Sequence, residues 1–180
     1  MIIKEKVILV DRNNNNIGIE DKLLAHKKGL LHRAFSILIY NSDREFLLQK
    51  RASKKYHTPN LWTNTCCSHP RIDESYEQSI NRRLHEEMGL SCKLEKTFDF
   101  IYKSNLENNL IEHEHDTVFI GQTNKLPNIN HNEASDYKYI SAKDLKEQIV
   151  LYPNDFTPWF KIILKKMDLS FFKKNNYYYA

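Results

Sequence analysis

The stretch ESYEQSINRRLHEEMGL, residues 74–90, carries the signals for both ends of a helix. Ser75 offers an N-cap hydroxyl, Gln78 three residues later completes a capping box, and Gly89 stops the helix. Ile80, Leu84 and Met88 recur at i, i+4 and i+8 and form one apolar stripe. The surrounding segments read as strands against which such a stripe can pack. KVILVD (6–11), AFSILIYN (34–41) and EFLLQKRA (45–52) are rich in β-branched and aromatic residues. The last two are joined as a hairpin through Asn41, Ser42 and Asp43. CKLEKTFDFIYKS (92–104), EHEHDTVFIGQT (112–123) and ASDYKYIS (134–141) read as further strands. SAKDLKEQIVLYP and TPWFKIILKKM read as helices, the first capped by Ser141 and the second by Thr157 ahead of Pro158. Strands with intervening helices predict an α/β (α+β) sandwich, and neither a repeat nor a linker interrupts it.

At 180 residues and 41% hydrophobic content, the chain suffices for one well-packed domain and is short for two. A single domain over 1–180 is expected, with frayed ends at about 1–5 and 175–180. No apolar run reaches about eighteen residues, and Lys4, Glu5 and Lys6 stand where a signal peptide needs its apolar stretch. The expectation is a cytoplasmic protein without a membrane partner. A formal charge of +4, with Lys and Arg spread among acids, does not demand nucleic acid and suits a small anionic substrate equally well. Three cysteines, two of them adjacent, make neither a disulfide framework nor a structural zinc signature, so reduced thiols are expected. Monomer and homodimer both stay open.

The helix also carries chemistry. Glu86 and Glu87 are adjacent and point about 100° apart, whereas Glu87 and Arg83 lie one turn apart on one face. Taken alone, that is an ion pair on a solvated helix. With Gly89 registered on the last Gly, residues 68–90 resemble the Nudix box, G-x(5)-E-x(7)-R-E-U-x-E-E-x-G-U. Glu74, Arg82, Leu84, Glu86, Glu87 and Leu90 match it. Ser68 stands where the first Gly belongs, and Arg83 stands where the box has a Glu. In Nudix hydrolases the helix carboxylates hold the metal that activates water, so a cation among them speaks against hydrolysis and for binding an oxyanion.

The same departure is seen in the type 1 isopentenyl-diphosphate isomerases, and the likeness extends beyond the helix. LLAHKKGLLHRAFS (23–36), QKRASKKYHTPNLWTNTCCSHP (49–70), RRLHEEMG (82–89), IEHEHDTVF (111–119) and TPWF (157–160) each resemble a segment of that family, in order. The resemblance implies a Nudix-type mixed β-sheet sandwiched between helices. It implies conversion of isopentenyl to dimethylallyl diphosphate, a 1,3-allylic rearrangement by metal-dependent protonation and deprotonation in isoprenoid biosynthesis. It places a reactive thiol at Cys67, a metal-bound catalytic carboxylate at Glu114 and a supporting phenol at Tyr102. His26, His32 and His69 with Glu112 and Glu114 form the implied metal site. Strand alternation puts both carboxylates on one face, and N and O ligands without thiolate suit Mn²⁺, Mg²⁺ or Zn²⁺. Arg51, Lys55 and Arg83, joined by Lys22, form the implied diphosphate clamp, with Glu87 holding a Mg²⁺ that arrives with the substrate. Trp159 matches an indole that faces the carbocation, an interaction worth roughly 2 kcal/mol when desolvated. His57, His85, His113, His115 and His131 match no position, and Cys66 and Cys92 read as small buried residues.

Two other readings compete. A Nudix hydrolase acting on a nucleoside diphosphate derivative leaves Cys67, His69 and Trp159 idle. A silent binding module predicts lost site residues, yet all the matching positions are filled.

Overall fold

The computed structural model describes residues 5–169. The expected frayed ends lie outside that range except for Glu5, whose carboxylate sits 3.1 Å from Lys22 Nζ.

The chain runs β1 (Lys6–Val10), β2 (Asn16–Asp21), α1 (Lys22–Lys28), β3 (His32–Tyr40), β4 (Glu45–Arg51), β5 (Trp62–Thr63) and β6 (Cys66–Ser68). It continues through α2 (Tyr76–Met88), β7 (Leu94–Asn105), β8 (Ile111–Gln122), β9 (Ala134–Ser141), α3 (Ala142–Leu151) and α4 (Pro158–Lys166). Among the described residues no helix is long and apolar enough to cross a membrane.

Strand β3 is the hub. It pairs in parallel with β8 from His32↔Glu114 to Tyr40↔Gln122. On its other side it pairs antiparallel with β6, Ser36 facing Cys67, and near its end with β4. β7 pairs antiparallel with β8, and β9 with β4. The predicted hairpin therefore exists only at its tip, where Ile39 and Tyr40 meet Leu47 and Phe46. Beyond it β3 leaves β4 for β6.

A strand covered on both faces has no polar side to alternate with, and β3 is buried almost throughout. Phe35, Ile37 and Ile39 pack against Ile80, Leu84 and Met88 of α2. Leu38, Phe46, Leu48 and Val118 pack on the opposite side with Leu145 of α3 and Trp159, Phe160 and Ile163 of α4. This is the mixed sheet between helices that the sequence predicts. The same parity sorts the adjacent cysteines, Cys66 joining the α2 core while Cys67 turns to the other side.

The capping box forms in full, Ser75 Oγ accepting from Gln78 N and Gln78 Oε1 from Ser75 N. Ser141 Oγ caps α3 by accepting from Asp144 N. Thr157 does occupy the N-cap of α4, but its hydroxyl caps nothing, because it is hydrogen-bonded to Thr63 Oγ1 at 2.9 Å. Pro158 leaves one fewer N–H to cap there. Cys92 is only half-buried, and all three cysteines are free thiols.

Gly89 ends α2 at φ 65°, and a Cβ there would lie 2.8 Å from the Asn128 carbonyl oxygen. Gly89→Ala is expected to combine left-handed strain with that backbone clash, about 2–4 kcal/mol in all. A melting temperature lowered by roughly 5–15 °C checks this, and an unchanged one contradicts it.

Candidate active site

The site is assembled from both sides of β3. Helix α1 is short, but Asp21 caps its start by accepting from Leu24 N, and Gly29 closes its end in the left-handed conformation. Those roughly two turns aim His26 inward. His26 Nδ1 lies 2.6 Å from the Lys22 carbonyl oxygen and donates to it, which leaves Nε2 with its lone pair free. His32 repeats the arrangement, Nδ1 at 2.8 Å from the Leu30 carbonyl oxygen. Such fixed tautomers are how metal-binding imidazoles are held.

On β8 the alternation holds: Glu112, Glu114 and Asp116 are buried on one face. Glu114 Oε1 lies 2.9 Å from His69 Nε2 and 3.6 Å from His32 Nε2, and Oε2 accepts a 2.7 Å hydrogen bond from Tyr102 Oη. Glu112 Oε2 lies 3.2 Å from His26 Nε2, and Oε1 lies 3.3 Å from His57 Nε2. The ligand atoms of His26, His32, His69 and Glu114 all fall within 4.8 Å of one another, and so do those of His26, His57 and Glu112. His26 Nε2, His32 Nε2 and Glu112 Oε2 are buried without hydrogen-bond partners. Buried orphan atoms converging in this way fit a divalent cation.

Burial alone would raise the Glu114 carboxyl, but the imidazoles of His32 and His69 beside it outweigh that and hold its pKa well below the usual range. Burial, then the charge of Glu114, push Glu112 and Asp116 up. Burial drives His69 down to about 3 despite Glu114, and burial with Arg51 takes His57 down to about 2. Burial lifts the Cys67 thiol to about 12, so it carries its proton at neutral pH.

A cleft of about 500 Å³, open mouth included, runs along these groups. All the predicted residues line it except His26 and His32, which stand behind the carboxylates, and Glu87. Cys67, Tyr102, Glu114 and Trp159 share it with the cations Lys22, Arg51, Lys55 and Arg83. Trp159 Nε1 is buried without a partner. Arg51 spends Nε and Nη2 on the carbonyl oxygens of Thr58 and His57 and lays its guanidinium 5.3 Å from the Trp159 ring centre. Arg83 binds Glu87 at 2.5 Å and Glu86 at 2.9 Å, and Gln49 donates to the other oxygen of Glu87.

Four participants escaped the sequence reading. Asp116 shares the parity of Glu112 and Glu114, which could have revealed it; it accepts from Ser36 Oγ and leaves Oδ1 unpartnered. Glu133 pairs with Lys55 and lies 3.2 Å from Arg83, brought there by the segment before β9, with no local signal. Tyr56 and His57 come from the irregular stretch after β4.

Comparison with known proteins places the class first. A NUDIX domain model matches residues 30–160. The fold is shared with a Deinococcus radiodurans crystal structure, at 17% identity and a TM-score of 0.72 over 89% of this chain and 98% of that one. It is also shared with a MutT Nudix hydrolase from Burkholderia pseudomallei, at 16% identity and TM-score 0.61 over 77% and 98%.

The finer relation comes from sequence. The chain is 50% identical over 160 residues to isopentenyl-diphosphate Delta-isomerase 2 of Photorhabdus laumondii, covering 89% of this chain and 90% of that one. It is 44% identical to isopentenyl-diphosphate Delta-isomerase of Pectobacterium atrosepticum over 90% of each. The chain belongs to the isopentenyl-diphosphate Delta-isomerase family of Nudix-domain proteins.

Proposed function

We propose that this chain interconverts isopentenyl diphosphate and dimethylallyl diphosphate by adding a proton at C4 and removing one from C2. The observation that carries the reading is the placement of a protonated thiol and an ionised carboxylate in one cleft. Cys67 comes from β6 and Glu114 from β8, the strands on either side of β3. An unactivated alkene is a weak base, so the shift needs a well-placed acid and a nearby base. Two groups whose surroundings push their pKa values apart satisfy both needs at one pH.

Tyr102 orients Glu114 through its 2.7 Å hydrogen bond. Lys55 and Arg83 take the diphosphate, helped by Lys22 and Arg51, and Trp159 turns its indole toward the tertiary cation formed at C3. A divalent ion held by His26, His32, His69, Glu112 and Glu114, whether Mn²⁺, Mg²⁺ or Zn²⁺, would supply positive charge that keeps Glu114 ionised. Mg²⁺ entering with the diphosphate would belong with Glu87. Hydrolysis is disfavoured because Arg83, a cation, stands where the Nudix box has a further Glu.

The test is proton NMR of the purified chain with isopentenyl diphosphate, Mg²⁺ and Mn²⁺ in D₂O. Deuterium entering a growing dimethylallyl signal is expected. Released phosphate, or an unchanged substrate, overturns the isomerase reading.

A further inference from the structure

Two groups of potential ligands share one histidine, and that sharing decides what the second group is. His26 Nδ1 is committed to the Lys22 carbonyl, so His26 offers a single lone pair, on Nε2. One lone pair serves one ion. The trio His26, His57 and Glu112 is therefore not a second ion site beside the first.

Glu112 shows what it is instead. Its carboxylate is divided: Oε2 lies by His26 Nε2 with no hydrogen-bond partner, while Oε1 lies 3.3 Å from His57 Nε2. At its other nitrogen, His57 Nδ1 lies 3.1 Å from Thr58 Oγ1. If that hydroxyl donates, the proton of the neutral ring sits on Nε2, facing Glu112. The ring has little freedom to turn away. Tyr56 stands perpendicular to it at 4.4 Å, His26 stacks at 5.7 Å and Trp159 meets it edge-on at 6.2 Å. Arg51 fixes the backbone beneath it through the carbonyl oxygens of residues 57 and 58.

We propose that His57 is a positioning residue, whose Nε2–H holds Glu112 Oε1 so that Oε2 is presented to the ion. The inference rests on the reading that Glu112 is a ligand. Partners of this kind set carboxylate orientation, and losing one typically costs 10–100-fold in metal affinity. His57 thereby couples the ion to the wall of the cleft that carries Trp159.

The experiment is Mn²⁺ titration of the full chain after chelator stripping, without diphosphate, with free Mn²⁺ followed by electron paramagnetic resonance. Wild type is expected to bind one ion. His57→Ala is expected to bind the same number about 10–100-fold more weakly. His57→Gln, whose amide nitrogen reaches the Nε2 position, recovers most of the affinity. His57→Asn, whose amide reaches only the Nδ1 position, does not, so the Gln and Asn pair decides the matter even if the alanine variant fails to fold. Equal affinity across the series overturns the inference alone. Two ions in wild type and one in His57→Ala make His57 a ligand and also overturn it. No ion bound by wild type overturns the ligand reading, and the inference with it.

Discussion

Cys67→Ala is expected to lower isomerisation by at least about a thousandfold, equivalent to roughly 4 kcal/mol of transition-state stabilisation. The side chain lost is small, but it is the thiol that β6 turns toward the cleft, Cys66 being turned into the α2 core by strand alternation. Burial keeps its proton in place at neutral pH, so the variant loses a proton-transfer group rather than a charge. Substrate binding is expected to survive, because the cations proposed to meet the diphosphate come from α1, β4, α2 and the stretch after β4. Metal content should also survive, since no sulfur is among the candidate ligands. Truncating a half-buried cysteine leaves a small void, with a stability loss of about 1 kcal/mol. The check is the rate of deuterium incorporation from D₂O beside substrate affinity and ion content. Activity within tenfold of wild type would remove Cys67 from the reaction.

What could be read in advance follows physical range. Helix α2 is legible because its capping box, apolar stripe and Gly89 are local signals, and contacts within four residues form both the box and the Gly89 cap. The long strands were legible for the same reason. Helix α1 was not: it has seven residues, about two turns, and it depends on Asp21 and Gly29 and on burial of Ala25 and His26 against the rest of the fold. β6 has three residues and exists only because β3 offers an edge at Phe35–Ile37. The site divides likewise. Glu112 and Glu114 fall on one face by alternation alone, and Asp116 obeys the same rule. Glu133 and His57 arrive through irregular chain, where no period links sequence to direction. The resemblance supplies His26, His32 and His69 as candidate ligands, and only the fold brings His57 to Glu112.

Glu114→Gln separates stability from activity most sharply. Glu114 is an ionised carboxylate buried with two others, Glu112 and Asp116, whose pKa values are raised first by burial and then by its charge. Its own pKa is nonetheless held well below the usual range, so the imidazoles of His32 and His69 favour the ionised form by more than burial opposes it. Removing the charge should therefore lower the melting temperature of the metal-free protein by a few degrees, because a depressed folded pKa is stability present at neutral pH. The sign with pH follows. Groups with raised folded pKa contribute stability that is present at low pH and is lost as pH rises through those raised values. Since Glu114 is a cause of both shifts, that loss as pH rises above the ordinary carboxylate range should be shallower in the variant. With the ion present the gap widens. Wild type gains about 2.7 kcal/mol at an ion concentration a hundred times its dissociation constant, while the amide, a weaker ligand, gains less. Isomerisation should fall at least about a thousandfold, because the amide cannot exchange a proton with the substrate. Melting curves with and without Mn²⁺ across that pH range, beside the D₂O assay, read all of these effects. A metal-free melting temperature above wild type would mean that repulsion among the three carboxylates outweighs the bonds from Tyr102 and His69, and that the fold holds Glu114 at a cost.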